Sequence, residues 1–215
     1  MIAARRRVWP VAVVGLATLH AAATPTEERR PPTSLHFLQY GVALTSESVA
    51  SQGDVCPPSA TAPCILGPGL GATIRVGYRT RGPFYLGGAY QFTRHDSSNL
   101  LRLAILQQLR GEVRYYLDHG TRLMPYWLAG LGGCLYGNEW GVQTGGATTS
   151  LGGGIEFQAS ESAAVGAALA WRALLLRGWT DNASERRADR YFGFGLAHLI
   201  TFELVLEIRD PLPRW

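Results

Sequence analysis

The final segment of the chain alternates between apolar and polar or small side chains over almost its whole length. From Phe192 to Ile208 every second residue is apolar except His198. The intervening positions are mostly small, polar or charged and include Glu203 and Glu207. Because successive side chains of a β-strand point to opposite faces, this period of two predicts a strand with one apolar face.

Seven further segments show the same period of two, so that eight strands are predicted. They cover residues 35–48, 69–80, 84–94, 101–118, 123–137, 148–159 and 163–176, and the final strand covers 192–209. Residues 101–118 and 163–176 also fit a helical pattern in part, but Val113, Tyr115 and Tyr116 favour a strand in the first of them. The chain is therefore predicted to be all-β.

The connecting segments alternate between long and short. Residues 49–68, 138–147 and 177–191 are long connections, 95–100 is of medium length, and 81–83, 119–122 and 160–162 are short. An even number of strands with this rhythm is typical of an eight-stranded antiparallel up-and-down transmembrane β-barrel. After residue 23 no apolar run of about 18 residues remains, so no membrane-spanning helix is predicted.

Aromatic residues collect near both ends of the predicted strands. Near the short connections lie Tyr78, Phe84, Tyr85, Tyr115, Tyr116, Tyr126 and Trp127, and near the long ones lie Phe92, Tyr136, Trp140, Trp179, Tyr191 and Phe192. Membrane barrels carry aromatic belts at both water interfaces. The belts favour an apolar face that contacts lipid over the inverse arrangement, a soluble secreted barrel that buries its apolar face around a small ligand.

Polar residues of the opposite face would then point into the barrel, whose interior is narrow enough for side chains to fill. Charges of both signs are present there, and buried ions must pair because an unpaired one costs several kcal/mol. The predicted lumen ion-pair network consists of Arg75, Arg79, Arg102, Arg110, Glu112, Arg114, Glu156, Arg172, Glu203, Glu207 and Arg209, with Gln108 and Gln158 on the same face. A narrow pore lined by arginines is the alternative.

The N-terminal residues have the features of an export signal. Three arginines at 5–7 precede the apolar stretch Val8–Leu19, and small residues follow up to Ala23. This order predicts a cleaved signal peptide over residues 1–23, a periplasmic lead-in over 24–34 and a barrel over 35–215. Cleavage removes three arginines and no acidic residue, which lowers the net charge from +4 to +1. Nucleic acid is therefore not an expected partner.

The chain has three cysteines. Cys56 and Cys64 flank a turn-rich segment, and a disulfide between them would suit an oxidising compartment. A metal pair is the competing interpretation, but it needs two more Cys or His ligands and none lies nearby. Cys134 lies in an apolar, glycine-rich run and is predicted to be a free thiol.

With these features the chain resembles the small eight-stranded outer-membrane barrels of Gram-negative bacteria, the OmpA/OmpX-like outer membrane protein β-barrel group. The signal 1–23, the eight alternating segments and the last strand Phe202–Ile208 with terminal Trp215 carry the resemblance. It implies a location in the cell outer membrane, contact with outer-membrane lipid and lipopolysaccharide, and a C-terminal signal read by the barrel-assembly machinery. It also implies a structural or surface-interaction role, with no ligand of the surface specified.

Some small outer-membrane barrels are lipid A deacylases, in which a His and a nearby Ser form an acyl-transfer site. The stretch from His95 to Asn99, with Ser97 and Ser98, resembles that pattern superficially. A polar loop between two strands explains the same residues, since Asp, Ser and Asn are ordinary turn residues. The chain is accordingly predicted to have no catalytic residue, no metal site and no cofactor.

Overall fold

The structure is a computed structural model that describes residues 36–56, 64–117, 121–139, 141–180, 186–190 and 192–212. The predicted signal peptide 1–23, the lead-in 24–34 and the terminal Trp215 lie outside the described residues, as do Trp140 and Tyr191 of the predicted aromatic belt. No helix in the described part of the chain is long and apolar enough to cross a membrane.

The described residues form one closed antiparallel barrel of eight long strands, as the sequence predicts. The strands are β1 Phe37–Ser51, β2 Gly69–Arg79, β3 Phe84–His95, β4 Ala104–Tyr116, β5 Leu123–Asn138, β6 Gly141–Gln158, β7 Ala163–Arg177 and β10 Phe194–Pro211. Between the last two, the short strands β8 Trp179–Thr180 and β9 Arg186–Arg187 pair with each other in a separate two-stranded sheet. Each long strand pairs with its neighbours along the chain, and β10 closes the barrel against β1.

The two ends of the barrel differ in their connections. At one end, named the short-turn end, lie the connections between β2 and β3, β4 and β5, and β6 and β7, together with the start of β1 and the end of β10. At the other, named the loop end, lie the described residues 52–56, 64–68, 96–103, 178–180, 186–190 and 192–193 and the turn between β5 and β6. A single 3-10 turn, Gly53–Val55, is the only helical element described there.

The alternation of the sequence sets the two faces of the barrel wall. In β10, Glu203 and Glu207 are buried, whereas Leu204 keeps 51% of its surface exposed and Leu206 keeps about as much. The other strands repeat this arrangement, which covers the outer wall with exposed Leu, Ile, Val and aromatic side chains. The apolar face therefore points outward, as in a barrel that contacts lipid.

The prediction of a long connection over residues 138–147 is wrong, because β5 ends at Asn138 and β6 begins at Gly141. Asn138 pairs directly with Gly141, and the chain reverses at Glu139, whose φ is 55°. The segment holds glycine and threonine without apolar alternation, so the pattern gave no strand signal. Position 146 requires glycine, because a Cβ on Gly146 would lie 1.8 Å from the carbonyl oxygen of Leu175 on the adjacent β7.

The predicted aromatic belts are only partly present. Tyr85, Tyr116 and Tyr126 at the short-turn end, and Tyr136 and Trp179 at the loop end, are buried inside the barrel. Their neighbours in sequence, Phe84, Tyr115 and Trp127, are exposed on the outer wall. Adjacent residues of a strand face opposite sides, so each aromatic doublet supplies one ring to the outer wall and one to the lumen.

Candidate functional site in the barrel lumen

The middle of the lumen holds five buried charges from four strands. Arg75 of β2 pairs with Glu203 of β10 and, at 3.1 Å from its Nε, with Oε2 of Glu112 on β4. The second oxygen of Glu203 lies 2.9 Å from Nη2 of Arg172, and that of Glu112 lies 3.2 Å from Nη2 of Arg110. Each carboxylate is shared by at least two guanidinium groups, so the pairs link strands across the lumen.

A second group of contacts lies closer to the short-turn end. Nη1 of Arg114 lies 2.8 Å from Oε1 of Glu207, and the side-chain amide of Gln39 donates to the other carboxylate oxygen at 2.5 Å. The guanidinium carbon of Arg114 also lies 4.8 Å from the ring centre of Tyr85 and 5.1 Å from that of Tyr126. Positive charge over aromatic faces is favourable, most of all away from water.

Glu156 anchors the contacts nearest the short turns. It forms an ion pair with Arg209, and its Oε1 lies 3.8 Å from Nη1 of Arg79. The hydroxyl of Tyr116 donates to Oε2 of Glu156 at 2.9 Å, and the guanidinium carbon of Arg79 lies 3.8 Å from the Tyr116 ring centre. Charges and tyrosine rings thus fill this part of the lumen together.

Glu47 completes the network on the loop side and was not identified from the sequence. Its Oε1 lies 2.9 Å from Nη1 of Arg172, and its Oε2 lies 3.0 Å from Nε2 of His95. The hydroxyl of Thr93 donates to Oε2 at 2.8 Å. Glu47 lies two residues beyond Thr45, which is buried on the same face of β1. Following the inward face of β1 in steps of two would have found it.

Arg102 is a correction to the predicted network. Its side chain is 86% exposed and forms a surface ion pair with Glu139 at 3.1 Å. Because β4 begins at Ala104, the alternation does not extend to this residue and the chain has already left the barrel wall. The other predicted residues have buried or largely buried side chains in the lumen: Arg75, Arg79, Arg110, Glu112, Arg114, Glu156, Arg172, Glu203, Glu207 and Arg209, with Gln108 and Gln158.

The loop end of the lumen holds a cluster of buried apolar side chains that the sequence did not predict. We call this cluster the apolar cap; its buried members are Val55, Ile65, Leu66, Leu101, Ala104, Leu106, Cys134, Tyr136, Leu174, Leu176, Trp179, Ala188, Ala197 and Leu199. Connecting segments supply Val55, Ile65 and Leu66, and strand ends supply Leu106 and Tyr136. The hydroxyl of Tyr136 donates to the carbonyl of Ile65, which ties the loop to the wall.

The disulfide predicted between Cys56 and Cys64 is present, with 5.2 Å between their Cα atoms. Val55 and Ile65, the neighbours of the two cysteines, are fully buried in the apolar cap. The disulfide therefore joins the two stretches of chain that enter the lumen. Cys134 is free and buried, as predicted.

His95 and Ser97 have separate partners. Nδ1 of His95 lies 2.8 Å from the carbonyl oxygen of Gly67, and its Nε2 faces Glu47. The Ser97 hydroxyl donates to the Leu101 carbonyl at 3.1 Å and accepts from the Leu101 amide at 3.2 Å. The structure thus assigns the hydroxyl to a loop turn and does not bring it to the imidazole. No group of three His, Cys, Asp or Glu residues among those described could hold a metal ion.

Three solved structures of outer-membrane proteins are similar to this barrel. Neisserial surface protein A matches at a TM-score of 0.50 and 15% identity over 82% of this chain and 97% of that one. OprG from Pseudomonas aeruginosa matches at 0.50 and 10% over 82% and 96%. AlkL, solved in DMPC lipid bilayers, matches at 0.51 and 11% over 93% and 99%. The fold is that of the small eight-stranded outer-membrane barrels.

At these identities the similarity shows the fold alone. No protein-family model matches the sequence, and no curated protein matches it.

Proposed function

We propose that the chain is an integral outer-membrane protein with a structural or surface-interaction role and a lumen plugged by ion pairs. One observation carries the proposal: an outer wall of exposed apolar side chains surrounds an interior in which buried carboxylates and guanidinium groups pair across the barrel. An apolar exterior of this extent is stable in lipid and not in water. We propose no catalytic role, cofactor or metal.

The route to the membrane forms part of the same proposal. Residues 1–23 act as a cleaved signal peptide, 24–34 remain in the periplasm, and the barrel-assembly machinery inserts 35–215. The short-turn end then faces the periplasm and the loop end faces the cell exterior, in keeping with the usual arrangement of bacterial barrels. Outer-membrane lipid and lipopolysaccharide are the surrounding partners.

A closed lumen is favoured over a narrow pore by the apolar cap. A conducting path needs a continuous series of polar groups or water, and the cap places Leu66, Leu106 and Leu174, all fully buried, above the charged part of the lumen. In planar lipid bilayers the protein is therefore expected to show no stepwise ion conductance. Stable conductance steps would contradict the plugged lumen and support the pore.

Membrane insertion is tested by fractionation and gel mobility. The exported chain is expected in the outer-membrane fraction and should dissolve only with detergent. On gels, the unheated protein should migrate differently from the heated protein. Leu204→Arg should hinder refolding into lipid vesicles, because a charge at the membrane midplane costs about 2–4 kcal/mol. Recovery from the soluble periplasm without detergent, or unhindered refolding of Leu204→Arg, would contradict the proposal.

A further inference from the structure

The buried ring of His95 lies between the barrel wall and a connecting segment at the loop end. Its Nε2 lies 3.0 Å from Oε2 of Glu47 on β1. Its Nδ1 lies 2.8 Å from the carbonyl oxygen of Gly67, in the connection between β1 and β2. The same connection supplies Ile65 and Leu66 to the apolar cap. One side chain therefore joins the wall to a segment that helps to form the cap.

The carboxylate of Glu47 has several other donors. The hydroxyl of Thr93 donates to its Oε2 at 2.8 Å, and Nη1 of Arg172 lies 2.9 Å from its Oε1. The side-chain amide of Gln108 donates to the same Oε1 at 3.2 Å. A guanidinium group and hydrogen-bond donors favour the ionised form of a carboxylate. Glu47 is therefore an acceptor toward the ring of His95.

Both ring nitrogens of His95 thus face acceptors. A carbonyl oxygen and an ionised carboxylate only accept hydrogen bonds, so each contact needs a proton on the ring nitrogen. The hydroxyl of Thr93 also lies 3.2 Å from Nε2, but its one proton is donated to Glu47. Imidazole carries protons on both nitrogens only in its charged form. The geometry therefore assigns the imidazolium form to this arrangement.

The ring of His95 lies directly over Gly69. The two residues are register partners on β3 and β2, and a Cβ on Gly69 would lie 2.7 or 2.8 Å from three atoms of the ring. Just before β2, the amide of Gly67 donates to the carbonyl of Asp96 at 2.7 Å, which continues the pairing of the two strands. Gly67 is therefore held at its carbonyl by His95 and at its amide by Asp96.

Among the described residues, Glu47 is the charged group in contact with the ring. The other titratable groups on this side of the barrel are Arg172 of β7 and Glu203 of β10, which pair with each other, Tyr136 of β5, which donates to the Ile65 carbonyl, and the exposed Arg94, Asp96 and Arg102. β2 and β4 place the uncharged Gly69 and Ala104 in register with His95. His95 also lines a groove of about 440 Å³, which brings water close to the ring.

We propose that His95 is a pH-dependent switch that holds the segment 64–68 against the barrel wall while its ring carries both protons. A neutral ring has one proton for two acceptors. That proton stays with Glu47, because a hydrogen bond to a charged acceptor is stronger than one to a carbonyl. The carbonyl of Gly67 then loses its donor and faces a lone pair. Docking of the segment is therefore favoured at low pH and weakened as the pH rises. The inference rests on these contacts and not on the proposed role in the membrane.

The test uses the chain refolded into detergent micelles and runs from about pH 5 to about pH 9, which spans the range in which histidine ordinarily changes charge. The ¹⁵N resonances of the His95 ring report its protons directly. We expect two protonated nitrogens at the lower pH and one at the higher pH. Over the same range, the protection of the Gly67 amide from hydrogen exchange, corrected for the intrinsic effect of pH, should fall about tenfold, as for one lost hydrogen bond. The amide of Leu204 in the middle of β10 should keep its protection.

His95→Gln and the control His198→Gln separate the switch from other effects of pH. Glutamine does not titrate, so His95→Gln should show the same Gly67 protection at both ends of the range. His198 stacks on Trp171 of the outer wall, with 5.3 Å between ring centres, and its replacement should leave the tenfold fall unchanged. A His95 ring that keeps its charge throughout, a Gly67 amide that does not respond to deprotonation, or an equal loss of protection at Leu204 would overturn the proposal. If His95→Gln does not fold, the ring and amide of the parent protein decide alone.

Discussion

The middle and short-turn parts of the lumen are filled with paired charges, whereas the loop end is filled with apolar side chains. The charged part is built from strands alone, with Arg75, Glu112 and Glu203 held by the register of the barrel. The apolar cap also draws on connecting segments, through Val55, Ile65 and Leu66. The lumen thus contains two kinds of interaction that depend on different parts of the chain.

This difference decides how each region should respond to substitution. A charge in the middle of the lumen is buried between paired strands, so the loss of its partner is expected to lower the stability of the whole barrel. The apolar cap lies at the mouth, where a connecting segment can move without breaking a strand pair. Substitutions in the two regions should therefore differ in how much stability they remove and in how much of the barrel they affect.

The largest effect is expected for Glu203→Leu. This change leaves Arg75 and Arg172 short of a carboxylate in the middle of the lumen. Removing one partner of a buried ion pair costs about 3–5 kcal/mol, which should appear in urea unfolding of the barrel in lipid vesicles. A loss below about 1 kcal/mol, the size found for surface pairs, would show that water reaches this network and that the lumen is open.

A smaller and more local effect is expected for Leu66→Ala. The substitution leaves a cavity in the apolar cap, and such changes cost about 2–5 kcal/mol in a well-packed core, with the lower values where the site can relax. The cap is at the mouth, so we expect the lower end in thermal unfolding and still no ion conductance. Leu204→Ala on the outer wall is the matched control. Conductance in Leu66→Ala would show that the cap alone closes the lumen.

The double variant Cys56→Ala with Cys64→Ala is expected to cost about 2.5 kcal/mol, because the disulfide closes a short loop. Protease digestion should then cut between these positions while the strands stay protected. Reduction of the parent protein should reproduce the result. Cleavage within β1 or β2 would instead show that the cap supports the strands themselves.

The smallest effect is expected for Arg102→Gln. The ion pair of Arg102 with Glu139 is exposed, and such pairs contribute about 0–1 kcal/mol. Unfolding in urea should be nearly unchanged, in contrast to Arg110→Gln within the lumen. A large loss of stability in Arg102→Gln would show that Arg102 belongs to the lumen network, as the sequence predicted.

The sequence predicted what a period of two can specify. It placed Arg110, Glu112 and Arg114 on one face of β4 because alternation continues without interruption there. It missed Glu47, since the alternation in β1 is weaker, and it included Arg102, since alternation does not show where a strand ends. It also assigned Tyr116 to a belt although its parity places it inside.

The apolar cap lay beyond such reasoning for a different physical reason. Val55, Ile65 and Leu66 are brief apolar runs beside cysteines in a long connection, and nothing periodic marks them. Their position depends on contacts with Tyr136 and Leu174, which are far away in sequence. Only the closed barrel brings these segments together.

The locations of three tryptophans make the outer wall and the apolar cap distinguishable by fluorescence. Trp127 and Trp171 are exposed on the outer wall, whereas Trp179 is buried in the apolar cap with its ring centre 6.4 Å from that of Tyr136. Brominated acyl chains quench only fluorophores that they touch. During refolding, brominated lipid should quench the fluorescence of Trp127 and Trp171 but not that of Trp179. Time courses of single-tryptophan chains would then separate the entry of the outer wall into lipid from the packing of the apolar cap.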